Sequence, residues 1–265
     1  MILCVGLATV DLVYRVERVP GVDEKAQARS AEVAAGGPAL NAAITAAALG
    51  APVTLVTAIG AHPLGDLIRK DLEAHAVRLV DAAHGSEELP PVSTVIVADG
   101  TGERTIVSRN AGDRSFPVPE EGLPEAELTL VDGHHPGLAV AAARAARRLV
   151  VDAGTWRPVF ADILPHADVV ACSAAFRSPA ALTAPDVIVT HGPGPVLWTR
   201  GGRTDRIEVP PVEAADTAGA GDAFHGALAF SLHAGQPVRD AITEAIRVAG
   251  VRVRHPGPRS WLNEL

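Results

Sequence analysis

Short apolar runs alternate with helix-length segments along most of the chain. Residues 2–8 read as a buried strand, as do 53–59, 128–132, 149–152, 169–172 and 187–190. Residues 38–49 read as a helix stopped by Gly50 and Pro52. Residues 65–76 are helical, with Leu67, Ile68 and Leu72 on one face, and 138–148 form an Ala/Arg-rich helix between two strands. Such alternation predicts an α/β fold, a Rossmann-like three-layer core with a mostly parallel central sheet and helices on both faces.

Two stretches break the alternation. Residues 11–35 and 92–107 have strand-like composition with no helix between. The runs 93–98 and 104–107 flank Asp99-Gly100-Thr101-Gly102, a good hairpin turn. They predict a small β-sheet outside the main one, equally suited to be a lid or a plain surface hairpin. With 265 residues, 48% of them hydrophobic, residues 1–265 suffice for a single unit with one large core.

The formal net charge is -8 and no run of Lys or Arg stands out, which argues against a nucleic-acid partner. Cys4 and Cys172 lie inside apolar runs and read as reduced, structural thiols. The first ten residues lack a basic leading segment, Asp11 interrupts them, and no stretch is long enough for a membrane span. The expectation is a cytoplasmic protein with no membrane partner.

The strongest chemical signal is Asp216-Thr-Ala-Gly-Ala-Gly-Asp222-Ala-Phe-His-Gly226, which opens a long apolar segment ending near His233. Gly219, Ala220 and Gly221 can bring bare N–H groups close to an anion, backed by a helix N-terminus. Asp222 in the first turn could then take a proton from an attacking hydroxyl while the loop holds a phosphoryl group. The same residues read equally well as a tight turn with a helix-start carboxylate. No Gly-Lys-Ser/Thr follows, so this is not a Walker loop. The turn Gly6 to Val10 lacks dinucleotide-fingerprint spacing.

Read together with Gly36-Gly37-Pro38-Ala39-Leu40-Asn41, the Asp216 to Gly226 stretch resembles the paired signatures of the ribokinase-like (PfkB) carbohydrate kinases. The resemblance spans nearly the whole chain, including Gly6, Asp11, Pro20, the 60–65 stretch, the 93–107 hairpin and Thr190-His-Gly192. It implies that Asp222 is the catalytic base and that Gly219, Ala220 and Gly221 form its anion hole. It implies that Asp11, Gly36, Gly37 and Asn41 hold substrate hydroxyls, and that Thr190, Gly192, Thr217, Gly219 and Gly221 meet the nucleotide. It further implies ATP with Mg²⁺, leaves room for K⁺ as a monovalent cation, and makes the strands near 12–35 and 92–107 a lid that joins a homodimer. Arg104, the 99–102 turn and the tail 245–254 with Gly257 are similar to ketohexokinases, which points to a ketose-like sugar.

The chain also departs from that family. It is short for it, so some helices or loops should be trimmed. Where many members carry Asn-x-x-Glu, linked to the Mg²⁺ environment, this chain has Ser173-Ala-Ala-Phe176. Other candidates are weaker. Adjacent His134 and His135 lack a third partner at ligand spacing, so no metal site is expected. His225 should pack within its helix. Arg109 is a candidate for a phosphate or anionic substrate, although Arg109 and Arg157 both read first as solvated surface. Trp156, Trp198 and Trp261 are too dispersed for a stacking platform. The expected activity is ATP-dependent phosphorylation of a sugar hydroxyl. Its rivals are a nucleoside kinase of the same fold, disfavoured by an aromatic content of 3%, and a non-catalytic sugar- or nucleotide-binding relative.

Overall fold

A computed structural model describes residues 1–99, 104–112 and 114–265. The strands, in chain order, are β1 (Ile2–Val5), β2 (Thr9–Val16), β3 (Ser30–Gly36), β4 (Val53–Thr57), β5 (Val77–Asp81), β6 (Val92–Ala98), β7 (Arg104–Ser108), β8 (Leu128–Val131), β9 (Leu149–Ala153), β10 (Val169–Ser173), β11 (Asp186–His191), β12 (Gly194–Arg200) and β13 (Arg203–Ile207). The helices are α1 (Pro38–Ala48), α2 (Pro63–Ala74), α3 (Pro136–Ala145), α4 (Phe160–Ile163), α5 (Ala220–His233) and α6 (Val238–Val253).

Nine strands form the central sheet in the order β13-β12-β11-β10-β9-β8-β1-β4-β5. All pairings from β5 across to β11 are parallel, and β12 alone is reversed, pairing antiparallel with both β11 and β13. This is the predicted three-layer arrangement. Successive residues of β1 enter opposite cores. Ile2 and Cys4 pack with α1, α2, α5 and α6, while Leu3 and Val5 pack with α3 and α4. Both faces are therefore covered, which explains why the strands are apolar throughout rather than alternating. Burial pushes the Cys4 thiol to about 12 and the Cys172 thiol to about 11, and both cysteines are free.

Helix boundaries follow local chemistry. α1, α2 and α3 each open on a proline, whose fixed φ suits the first turn. α3 begins and ends earlier than the Ala/Arg run suggests. Residues 174–185 join parallel β10 to β11 with no helix, and α4 between β9 and β10 has four residues. Among the described residues, no helix is long and apolar enough to cross a membrane.

The smaller sheet has the order β3-β2-β6-β7. β6 and β7 pair antiparallel as expected, and Gly100, Thr101 and Gly102 of the intervening turn lie outside the described residues. Its two faces differ by the strand period of two. Asp11, Val13, Ser93, Val95, Val97 and Ile106 line a cleft against the main body. Residues paired across the opposite face include Leu12 with Val33, Tyr14 with Ile96, and Thr94 with Val107.

Candidate active site

The sheet order reverses at β1, which has β4 on one side and β8 on the other. Open parallel sheets bind ligands beyond the strand ends at such a point. A cleft of about 330 Å³ lies there, lined by Leu7, Asp11, Gly37, Asn41, Gly219 and Asp222 among others. The small sheet forms one wall, and the N-terminal ends of α1 and α5 form another.

Asn41 and Asp222 come from the first turns of α1 and α5, and their side chains meet. Asn41 Nδ2 donates to Asp222 Oδ2 at 2.7 Å. Gly226, one turn further along α5, makes this crossing close: a Cβ there would lie 2.4 Å from the Ala42 carbonyl oxygen and 2.7 Å from Thr45 Cβ. Gly37 delivers the chain into α1 with φ 99°, and a side chain on it would strike the Leu7 carbonyl oxygen at 2.5 Å. Gly36 leaves room for the Asp11 carboxylate, which a Cβ would approach to 2.0 Å. Asp11 accepts a hydrogen bond from Thr9 Oγ1 at 2.7 Å. Burial raises its carboxyl above the usual range and Asp222 adds to this, while the Thr9 and Ser93 hydroxyls and Arg259 pull the other way.

α5 opens on Gly219 at φ 69° with no side-chain cap. Among the described residues, the N–H groups of Gly221 and Asp222 have no backbone partner outside the helix. An uncapped helix start opening beside a carboxylate and an amide can hold an anion with a proton acceptor next to it.

Several residues of the site escaped the sequence reading. Arg259, in the C-terminal tail, donates from Nη1 to Asn41 Oδ1 at 3.1 Å and from Nη2 to Asp71 Oδ2 at 2.8 Å. This fixes which end of the Asn41 amide faces Asp222. Asp216 accepts from the Ala218 N–H at 2.9 Å and from the Gly257 N–H at 3.3 Å, tying the glycine loop to the tail. Asp132, at the end of β8, accepts from the N–H groups of Leu7, Ala39 and His134 and so pins the loop after β1 to the start of α1. Burial alone would raise its pKa, but His134 and these donors bring it down to about 2. Asp216 opens the glycine motif but is given no role of its own in it; no local motif marks Arg259 or Asp132, whose partners Asn41, Asp71, Leu7 and Ala39 lie far away in the chain.

The remaining candidates are placed as follows. Arg109 does not reach the cleft. β7 ends at Ser108, Asn110 turns the chain at φ 49°, and Arg109 lies in a second depression with Pro90, Pro91 and Arg114. Thr190 and Gly192, at the β11–β12 hairpin, and the exposed Thr217 do not line the cleft that Asp222 faces, nor do Ala220 and Gly221. His225 is buried behind Asp222, its Nδ1 3.3 Å from Asp152 Oδ2, and burial pushes Asp152 up to about 6 with His225 partly offsetting it. Arg157 is not plain surface: its Nη2 lies 2.7 Å from His134 Nε2. Phe176 faces the second core, 5.3 Å from the Phe160 ring and 5.9 Å from Trp156, so an aromatic cluster occupies the place where the family resemblance puts a carboxylate.

The family model described as pfkB family carbohydrate kinase matches residues 1–175 and 160–264 of this chain. The chain is 25% identical over 277 residues to a ribokinase of Bacillus subtilis, covering 95% of this chain and 92% of that protein. It is 30% identical over 255 residues to an ATP-dependent ribose-1-phosphate kinase of Halopiger xanaduensis, covering 84% and 81% respectively. Its fold matches the structure of Arabidopsis thaliana ribokinase complexed with ribose and ATP, with a TM-score of 0.78 at 20% identity over 99% of this chain and 97% of that one.

Proposed function

Because this chain belongs to the pfkB family of carbohydrate kinases and is thereby a phosphotransferase with an alcohol group as acceptor, we propose that it moves the γ-phosphate of ATP to a hydroxyl of a small sugar, with Asp222 as general base. The observation that carries this reading is the Asn41–Asp222 pair at the uncapped start of α5, inside the cleft. With Oδ2 held by the Asn41 amide, Oδ1 is left to take the proton of the attacking hydroxyl. The N–H groups at the helix start stabilise charge on the transferring phosphoryl group. Asp11, with its room secured by Gly36, and Asn41 hold other hydroxyls of the acceptor. Mg²⁺ neutralises phosphate charge in such a transfer. Among the described residues no three His, Cys, Asp or Glu side chains gather for a metal, which suits an ion carried by the ATP phosphates and water.

The ketose preference drawn from the tail finds no support among the relatives, whose names point to ribose, so ribose is the first acceptor to test. A second reading is favoured by Arg15, Arg104 and Arg259 in the cleft, which suit an acceptor that already bears a phosphate, as in the Halopiger relative. A nucleoside is disfavoured: Trp261 lines the cleft but is 3% exposed, leaving little ring face to stack on a base. The test is ADP release from Mg-ATP against ribose, ribose 1-phosphate, ketoses and nucleosides, compared as kcat/KM. Ribose or its phosphate should lead. A nucleoside ahead of every sugar by about tenfold would overturn the acceptor class, and silence across the panel would favour a non-catalytic binding protein.

Asp11→Ala and Asn41→Ala should each raise the KM for the acceptor far more than that for ATP. A lost hydrogen bond to a polyol leaves a buried partner and costs about 1–3 kcal/mol. Equal rises in both KM values would contradict the division of the cleft into acceptor and nucleotide sides.

We also expect a homodimer through the small sheet. Tyr14, Val33 and Val107 are exposed at 38%, 50% and 68% on the face turned from the cleft. Covering that face with a second copy hides both apolar area and strand edges. Light scattering at micromolar concentration should give twice the chain mass; a single chain mass would refute the dimer and leave the kinase reading standing.

A further inference from the structure

Arg252 stands in the last turn of α6 and is 4% exposed, a cation almost wholly removed from water. Its Nη1 donates to the His255 carbonyl oxygen at 2.8 Å and reaches the Asp216 carbonyl oxygen at 3.5 Å. Its Nη2 donates to Asp216 Oδ2 at 3.3 Å. A buried guanidinium is costly unless its donors are satisfied, and here a carboxylate and two carbonyls satisfy it.

The position is as telling as the burial. A Cβ added to Gly219 would lie 3.7 Å from Arg252 Nε, 3.7 Å from Asp222 Oδ2 and 3.8 Å from Asn41 Nδ2. The open space above Gly219 is therefore bounded by a fixed cation, the candidate base and the amide that orients it. An anion seated on the glycine loop would lie within close electrostatic range of the guanidinium in a low-dielectric setting.

This bears on the monovalent cation that the family resemblance leaves room for. A K⁺ ion needs several carbonyl or carboxylate oxygens to replace its hydration shell. Beside the glycine loop, the Asp216 carbonyl, the Asp216 carboxylate and the His255 carbonyl make such a cluster, and all three already accept from Arg252. A free cation does not fit there. We infer that Arg252 is a tethered cation for the glycine loop, filling the place a mobile monovalent ion would take, so that nucleotide phosphates are bound without K⁺. The inference rests on the kinase reading of the site. Arg252 is a positioning residue, acting through Asp216 and the loop field rather than on the reacting atoms.

The test is titration of ADP with Mg²⁺ by calorimetry, in buffers whose monovalent cation is K⁺, Na⁺ or tetramethylammonium. The wild-type dissociation constant should agree within about twofold across the three, since a resident charge leaves no ion to recruit. Arg252→Ala should weaken ADP by about tenfold or more, the loss expected for a hydrogen-bonded charge. K⁺ should restore a good part of that affinity by entering the vacated oxygens, and tetramethylammonium should not. Arg252→Lys should stay cation-independent. Wild-type affinity about tenfold higher in K⁺ than in tetramethylammonium would overturn the inference and spare the kinase reading. A loss in Arg252→Ala that K⁺ leaves untouched would reduce Arg252 to a packing residue and overturn it too. Failure of the wild type to bind ADP in any buffer would remove the kinase reading, and this inference with it.

Discussion

Asp222→Asn is expected to keep the fold and Mg-ATP binding and to lose turnover by about 10²–10⁴-fold, the usual contribution of a general base. The amide has nearly the shape of the carboxylate and keeps its carbonyl oxygen for the Asn41 Nδ2 contact, now 2.7 Å. What it lacks is the ability to accept the hydroxyl proton. Because the proton moves only in the transition state, kcat and kcat/KM should fall together while KM for ATP stays within a few-fold. Steady-state kinetics with a melting curve as a folding control decide it. Activity above about a tenth of wild type, well inside the range a lost base produces, would remove Asp222 from that role.

Gly226→Val is expected to damage both stability and rate. α5 crosses α1 so closely here that even a Cβ would sit 2.4 Å from the Ala42 carbonyl oxygen and 2.7 Å from Thr45 Cβ. Both contacts are with the body of α1, not with the far end of a flexible side chain, so the helices must separate. Overpacking of this kind costs about 1–3 kcal/mol, which in a chain of this size lowers Tm by several degrees. Asn41 and Asp222 lie one turn from the wedge on the same two helices. A shift of about 1 Å between reacting groups can cost about 10²-fold in rate. A melting curve and kcat measured on the same preparation test both parts. If Tm falls and kcat does not, the Asn41–Asp222 contact is held by something other than this crossing. If neither moves, the close approach itself is wrong.

The central strands could be read from the chain because each is a short apolar run buried on both faces, as in 149–152 and 169–172. β5 was harder to see. It is an edge strand, and its sequence, from Val77 to Asp81, mixes Arg and Asp with apolar residues. Gly219 and Asp222 were legible because glycine spacing and a helix start impose local rules, whereas Asn41 and Asp11 were reached only through the family resemblance; the structure brings all four to one cleft. Arg109 lies outside the cleft although its neighbours Ser108 and Asn110 line it, an alternation at the end of β7 that local composition does not show. Arg252, Arg259 and Asp132 were invisible for another reason. Asn41 and Arg259 are 218 positions apart, and only the packing of the tail against α1 makes them partners. At Phe176 the reverse holds: the position where the resemblance implies a carboxylate is filled by core, because the Trp156–Phe160 pair continues into it.

The central claim is transfer of a phosphoryl group from ATP to a sugar hydroxyl. Phosphorus NMR of the protein with Mg-ATP and ribose, repeated with ribose 1-phosphate, tests it most directly. The account predicts a new phosphomonoester signal coupled to sugar protons, growing in step with ADP and slowed about 10²–10⁴-fold with Asp222→Asn. ADP appearing with free phosphate alone, or a sugar phosphate still formed by Asp222→Asn at the wild-type rate, would contradict it.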